Sequence, residues 1–316
     1  MLRRTLLAAS ASQRIRELIT DYPVTRSVVD RYVAGETSAD AVRTAQRLRG
    51  AGLLVTLDYL GEDTKEQAQA DSVTEEYVSL IGKLAAEGLT ADGAVEVSVK
   101  LTAVGLYLAR DGERTASENI ARIAAAARDA GTTVTVDAED HVADDAAQRI
   151  VADLRGSYPD LGIVLQAMLR RTEADCRNLA AKGSRVRLCK GAYNEPESEA
   201  YTARHDIDRS YARCLRILME GPGYPMVASH DPRLIQIAGS LAMQNGRSAD
   251  DFEYQMLFGI RPDEQRRLAA SGAKVRVYVP YGDDWYGYLV RRLAEKPANL
   301  RFFLRSLGPV VGGRAS

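Results

Sequence analysis

The chain has 316 residues, enough to bury one large core or two ordinary ones. Apolar residues make up 46% and charged residues 27%, ordinary for a globular protein, and 42 basic residues against 43 acidic ones leave a net charge of −1. That balance excludes any electrostatic case for a nucleic-acid partner, and the longest apolar runs, such as Ala51 to Leu57, are far too short to cross a bilayer.

The first segment, MLRRTLLAASASQRIREL, superficially resembles a secretory signal, but Arg14 and Arg16 continue it as an amphipathic helix, so it reads as structure. Residues 1–48 read as a helical extension, broken at Glu36-Thr37-Ser38-Ala39-Asp40, where a new N-cap begins. From there a single grammar repeats over residues 49–316. Short β-branched runs appear as LLVTLDY at Leu53, VEVSVKL at Val95, TVTVDAE at Thr133 and GIVLQAM at Gly162. They continue as RVRLCKG at Arg185, PMVASHD at Pro225, FEYQML at Phe252 and KVRVYVP at Lys274. Helical patterns lie between them, for example Ser117 to Ala130 with Ile120, Ile123, Ala124 and Ala127 on one face, and Asp208 to Glu220 with Tyr211, Leu215 and Leu218 in line. Eight strand–helix units imply parallel pairing, and over about 250 residues they fit an α/β fold of the closed (β/α)8 type better than an open sheet. The residues after the first strand, LGEDTKEQ, carry no glycine fingerprint for a doubly wound fold.

Reactive groups of such a barrel gather at the C-terminal ends of its strands. Those ends hold Asp58, Lys100, Asp137 with Glu139, Gln166, Arg187 with Lys190, His230, Gln255 and Tyr278. The set is mixed in charge and, with Arg291 and Arg292 added from the last helix, mostly cationic, which implies an anionic ligand. Each residue also has an ordinary explanation. Lys100 and Asp137 could form a structural ion pair between adjacent strand ends. Arg187 shares a side with Arg185 and Cys189 by alternation; if all three faced the helix layer, two buried arginines there would be costly without partners, so one of them serves a ligand. Gln166 ends an apolar strand, where an amide can read the donors and acceptors of a planar heterocycle. Lys190-Gly191-Ala192 offers a cation, close backbone approach and free N–H groups, suited to a phosphate.

Three cysteines (Cys176, Cys189, Cys214) without paired spacing argue against a disulfide framework and for a reducing cytoplasm. His141, His205 and His230 have no metal-ligand spacing. The last informative stretch, YVPYGDDWYGYLVRRLAE, reads as a strand over Lys274 to Val279 that stops at Pro280, turns at Gly282 and opens a helix behind Asp283 and Asp284. Tyr288, Arg291 and Glu295 share one helical face, with Arg292 beside them. Adjacent guanidiniums reaching back over a strand end make a carboxylate clamp.

Taken together, VSVKLT, VTVDAED, VRLCKGAYNEP, ASHD, FEYQMLFGIR and the terminal stretch resemble the proline dehydrogenase family, over roughly residues 50–307 in the correct order. The resemblance implies a flavin-binding barrel that oxidises L-proline. It implies that Lys100, Arg291 and Arg292 hold the substrate carboxylate, that Tyr278, Tyr288 and Leu257 pack around the ring, and that Glu295 braces the arginines. Asp137 and Arg187 match the catalytic positions, and FAD would contact Ala138, Gln166, Arg187, Lys190, Gly191, Ala192, Ser229 and His230. Cys189 and Ser229 stand where valine and threonine are frequent. The chain is too short for the aldehyde dehydrogenase domain of the bifunctional relatives, so the product passes to a separate pyrroline-5-carboxylate dehydrogenase. The family's electron acceptor is a membrane quinone, which implies peripheral association with the inner face of the membrane. Two other readings compete: a Schiff-base lyase or aldolase using Lys100 or Lys190, and a non-catalytic ligand-binding barrel.

Overall fold

The computed structural model describes residues 29–181 and 183–289. Arg291, Arg292 and Glu295, and residues 1–28 of the expected extension, lie outside the described residues.

Helix α1 (Ser38–Gly50) starts where Thr37 and Asp40 form a capping box, each accepting from the other's backbone N–H. It lies against strands β1 (Leu54–Tyr59) and β8 (Val275–Tyr281). Between them run β2 (Val95–Val99), β3 (Val134–Val136), β4 (Gly162–Gln166), β5 (Arg185–Cys189), β6 (Tyr224–Ala228) and β7 (Glu253–Leu257). Each pairs in parallel with the next, and β8 pairs with β1, so the sheet closes on itself. The crossovers carry α2 (Gln67–Ala86), α3 (Gly112–Asp129), α4 (His141–Leu154), α5 (Thr172–Leu179), α6 (Arg204–Glu220), α7 (Pro232–Gln244) and α8 (Pro262–Ala270). This is the expected (β/α)8 barrel.

The side-chain alternation is the reverse of a simple sandwich. Outward residues such as Val95, Val97, Val99, Val275, Val277 and Val279 are fully buried against the helices. They form one apolar core with Ile120, Ile123, Tyr211 and Leu215, from the two helical faces expected from the sequence. The inward rows are polar. Arg187 on β5 donates to Ser98 on β2 and to Gln255 on β7; neither strand is its neighbour, so these bonds cross the barrel interior. Arg185 and Arg187 therefore face inward, where Glu96 pairs with both at 2.8 and 3.4 Å.

Several boundaries differ from the sequence reading; helix α6, for one, begins at Arg204 rather than Asp208. Helix α3 begins at Gly112 rather than Ser117, because Thr115 and Ala116 extend its buried face backwards. Strand β8 does not stop at Pro280 but continues to Tyr281. Pairing with β7 ends at Leu257–Tyr278, so the missing N–H of Pro280 breaks no ladder bond there, while its carbonyl accepts from Ala34. Gly282 then turns the chain at φ +121°; a Cβ there would lie 3.0 Å from the Tyr59 ring.

Candidate active site

The C-terminal ends of the strands bring together most of the expected residues. Asp137 follows β3, and its backbone N–H bonds the Val99 carbonyl at 2.9 Å, continuing the ladder with β2. Its Oδ2 accepts from the Tyr278 hydroxyl at 2.6 Å, and its Oδ1 accepts from Ala138 N and sits 3.6 Å from Arg187 Nη1. Arg187 is buried (4% exposed side chain), with Nε on Gln255 at 2.6 Å and Nη1 on Ser98 at 2.9 Å, and its guanidinium lies over the Tyr278 ring. Asp137, Arg187 and Tyr278 thus form one interlocked group. Burial and the Asp137 carboxylate both push the Tyr278 hydroxyl well above its ordinary value, so it stays a donor.

Lys100 makes a different pair from the one expected. Its Nζ bridges both oxygens of Asp58, at 2.8 and 2.9 Å, because β1 and β2 are hydrogen-bonded neighbours and both side chains point inward. Asp137 also contributes to its field: the carboxylates of Asp58 and Asp137 overcome burial and raise Lys100 above the usual lysine value. Lys190 bonds Asp208 and, at 3.3 Å, Asp231, which also take Arg233. Lys100, Arg187 and Lys190 are therefore each paired with carboxylates. The mostly cationic mouth inferred from the sequence is locally balanced among the described residues.

Gln166 donates both amide hydrogens inward, to the Glu139 carbonyl at 2.7 Å and Asp144 Oδ2 at 2.9 Å. The carbonyl Oε1 is left as the group to present to a ligand. Gly191 has φ +99°, and a Cβ there would press to 2.5 Å from Met168, so only glycine fits this bend. His230 Nε2 accepts from Leu257 N at 2.9 Å, which requires a neutral ring protonated on Nδ1, and its carbonyl accepts from Arg261. Ser229 Oγ accepts from Asp231 N at 3.2 Å. Leu257 closes β7 beside Tyr278, and Ala138 and Ala192 flank the same mouth in sequence. Tyr288 is buried in a separate apolar cluster with Tyr32, Val33, Leu60, Trp285 and Leu289.

Several functional partners escaped the sequence reading: Glu96, Ser98, Asp144, Asp208 and Asp231. A signal existed for the first two. Glu96, Ser98 and Lys100 alternate with valines along β2, which marks an inward polar row. Asp144 lies in the first turn of α4, where nothing in the local sequence sets it apart from a surface acid. Burial raises both Asp144 and Glu139 to about 7. The folded chain thus holds these protons where the unfolded chain has released them. Their contribution is full below about pH 4, falls by about 1.4 kcal/mol per pH unit per group, and is lost above about pH 7. Asp144→Asn is expected to flatten the fall in Tm between pH 5 and 8; an unchanged slope in melts across that range would contradict it.

A family model described as proline dehydrogenase matches residues 41–305. Proline dehydrogenase 1 of Bacillus subtilis (strain 168) is 36% identical over 307 residues, covering 97% of this chain and 99% of the relative. Proline dehydrogenase of Deinococcus radiodurans is 36% identical over 283 residues, covering 89% and 90%. The bifunctional protein PutA of Escherichia coli (strain K12) is 27% identical over 347 residues, and the match takes in only 26% of its length. Among solved structures, proline utilization A from Bdellovibrio bacteriovorus, inactivated by N-propargylglycine, superposes with a TM-score of 0.80 at 24% identity, covering 90% of this chain; the chain spans about a third of that protein (34%), and the likeness concerns the fold. With a family model over most of its length and full-length relatives at 36% identity, this chain belongs to the proline dehydrogenase family.

Proposed function

We propose that this oxidoreductase of proline converts L-proline to Δ1-pyrroline-5-carboxylate by hydride transfer to FAD and passes the electrons to a quinone. The observation that carries the reading is the interlocked Asp137–Arg187–Tyr278 group at the barrel mouth, next to a Gln166 carbonyl and a Gly191 bend that suit a flat heterocycle and its phosphate tail. These groups fit FAD: an acceptor for a ring N–H, a buried guanidinium for developing negative charge, and a cradle that admits no side chain. Gln166, Arg187, Lys190, Gly191, Ala192, Ser229, His230 and Ala138 would hold it. When bound, FAD supplies the two-electron acceptor.

The chain's own residues do the rest. Lys100, with Arg291 and Arg292, takes the substrate carboxylate and orients the ring from its unreactive end. Leu257 and Tyr278, side by side at the ends of β7 and β8, pack around the ring; the family resemblance adds Tyr288 to them and gives Glu295 the bracing of the arginines. Asp137 holds Arg187 and Tyr278 in place through its two carboxylate oxygens. Hydride release needs an unprotonated substrate nitrogen, so turnover should rise toward alkaline pH. The Schiff-base reading is disfavoured at Lys100, whose carboxylate neighbours hold it protonated when a nucleophilic amine must be neutral. As no described helix is long and apolar enough to cross a membrane, a quinone would be met at the membrane surface. The product would pass to a separate pyrroline-5-carboxylate dehydrogenase, the partner suggested by the bifunctional relatives.

The test is direct. Purified protein should be yellow and bleach when proline is added without oxygen, then recover with a quinone analogue. Colourless protein that takes up no added flavin would overturn the reading. Arg291→Ala or Arg292→Ala should weaken proline binding by about 2–5 kcal/mol; a wild-type KM in both would remove the clamp.

A further inference from the structure

The opposite end of the barrel, where strands begin rather than end, holds a cavity of about 820 Å³. That is within the range of small-molecule sites, about 300–1,000 Å³. Arg49, Arg128, Arg185, Lys274 and Arg276 line it, against the carboxylate of Asp160. Arg49 and Arg128 stand in the last turns of α1 and α3, and Arg185 and Arg276 in the first residues of β5 and β8.

The lining charge is not cancelled from within. The five lining cations meet Asp160 at the rim and the buried Glu96 and Glu253 beneath, three carboxylates in all, which leaves positive charge in excess around the space. Arg49 donates to the Leu53 carbonyl and has no carboxylate partner among the described residues. Burial and the Arg276 guanidinium, which lines the same space, lower its pKa. Arg185 Nε is buried with no hydrogen-bond partner among the described residues. An orphaned buried donor costs about 1–3 kcal/mol and calls for an acceptor. Arg128 and Lys274 do have carboxylates, Asp129 and Asp250, but in exposed pairs that contribute little and exchange easily. Tyr158 and Tyr224 border the space, with Arg128 and Arg185 against their rings.

We propose that this cavity is a second ligand site, distinct from the catalytic mouth, that binds a small polyanion carrying two or more phosphate or carboxylate groups. Guanidiniums pair with both groups bidentately, and Arg49 and Arg185 supply the unfilled donors. Because the site lies at the other end of the barrel, it does not depend on the flavin assignment.

The experiment titrates the full-length chain as purified with pyrophosphate and, separately, citrate, by calorimetry and thermal shift at fixed ionic strength. Saturable one-to-one binding of at least one probe is expected, with pyrophosphate favoured if phosphate is the natural group and citrate if carboxylate is. In the Arg49→Ala/Arg128→Ala double variant, and separately in Lys274→Glu, binding should weaken by about tenfold or more while turnover of proline is unchanged. Two variants guard against a folding defect, which circular dichroism would reveal. No saturable binding of either probe overturns the proposal. So does binding of wild-type strength in both folded variants, which would place the anion elsewhere on the chain.

Discussion

Replacing Glu96 with alanine is expected to destabilise the fold by about 3–5 kcal/mol, because it strands several buried cations at once. Glu96 is fully buried and pairs with Arg185 at 2.8 Å, Arg187 at 3.4 Å and Arg276 at 3.8 Å. It also accepts from Thr56 at 2.8 Å and Thr133 at 2.9 Å. The neighbouring Glu253 cannot compensate, since it is already bound to Arg276 at 2.7 Å. Burial alone would raise the Glu96 carboxyl, but the three guanidiniums outweigh it and lower the group to about 2. Its stabilisation is therefore present above the unfolded glutamate value, about pH 4.3, and is lost as pH falls toward 2. The measurement is a thermal melt at neutral pH, where Tm should drop by about 5–10 °C. Glu96→Gln, which keeps the shape and the threonine contacts, should fall between the two. A wild-type Tm for Glu96→Ala would show that the buried network contributes nothing.

The second large effect is expected at Arg187. Arg187→Lys should lower the rate of flavin reduction by proline about 10²–10³-fold, comparable to removing a preorganised donor from a transition state. Lysine keeps a charge but cannot hold Gln255 with one nitrogen and Ser98 with another while lying flat over Tyr278, as the guanidinium does. The positive charge would lose its fixed position, and Asp137 would lose the cation 3.6 Å from its carboxylate. Anaerobic single-turnover reduction, followed by flavin absorbance, separates this from a folding defect. A lower Tm with an unchanged reduction rate would make Arg187 a purely structural residue.

The contrast between Glu96 and Asp144 shows what environment does to one kind of group. Both are buried carboxyls. Glu96 has three guanidiniums within 4 Å and is held ionised, while burial pushes Asp144 up to about 7 against the opposing pull of its amide and backbone donors. Nothing in either local sequence distinguishes them, because the deciding neighbours come from other strands.

The barrel was legible from the chain alone because its evidence is local. Eight β-branched runs separated by amphipathic helices can bury their apolar faces only as parallel strands under a helical layer, and their number favours closure. The strand-end residues Asp137, Gln166, Arg187 and Tyr278 were legible for the same reason, since strand direction alone sends them to one rim. What each side chain meets there was decided only by the closed sheet. Closure set Lys100 against Asp58 rather than Asp137, turned Arg185 and Arg187 inward onto Glu96, and tied Lys190 to Asp208 and Asp231. It also gathered five cations around the far opening. Such contacts join residues as far apart as Arg187 and Glu96, 91 positions along the chain. Their strength depends on distance and on exclusion of water, which a linear sequence does not specify.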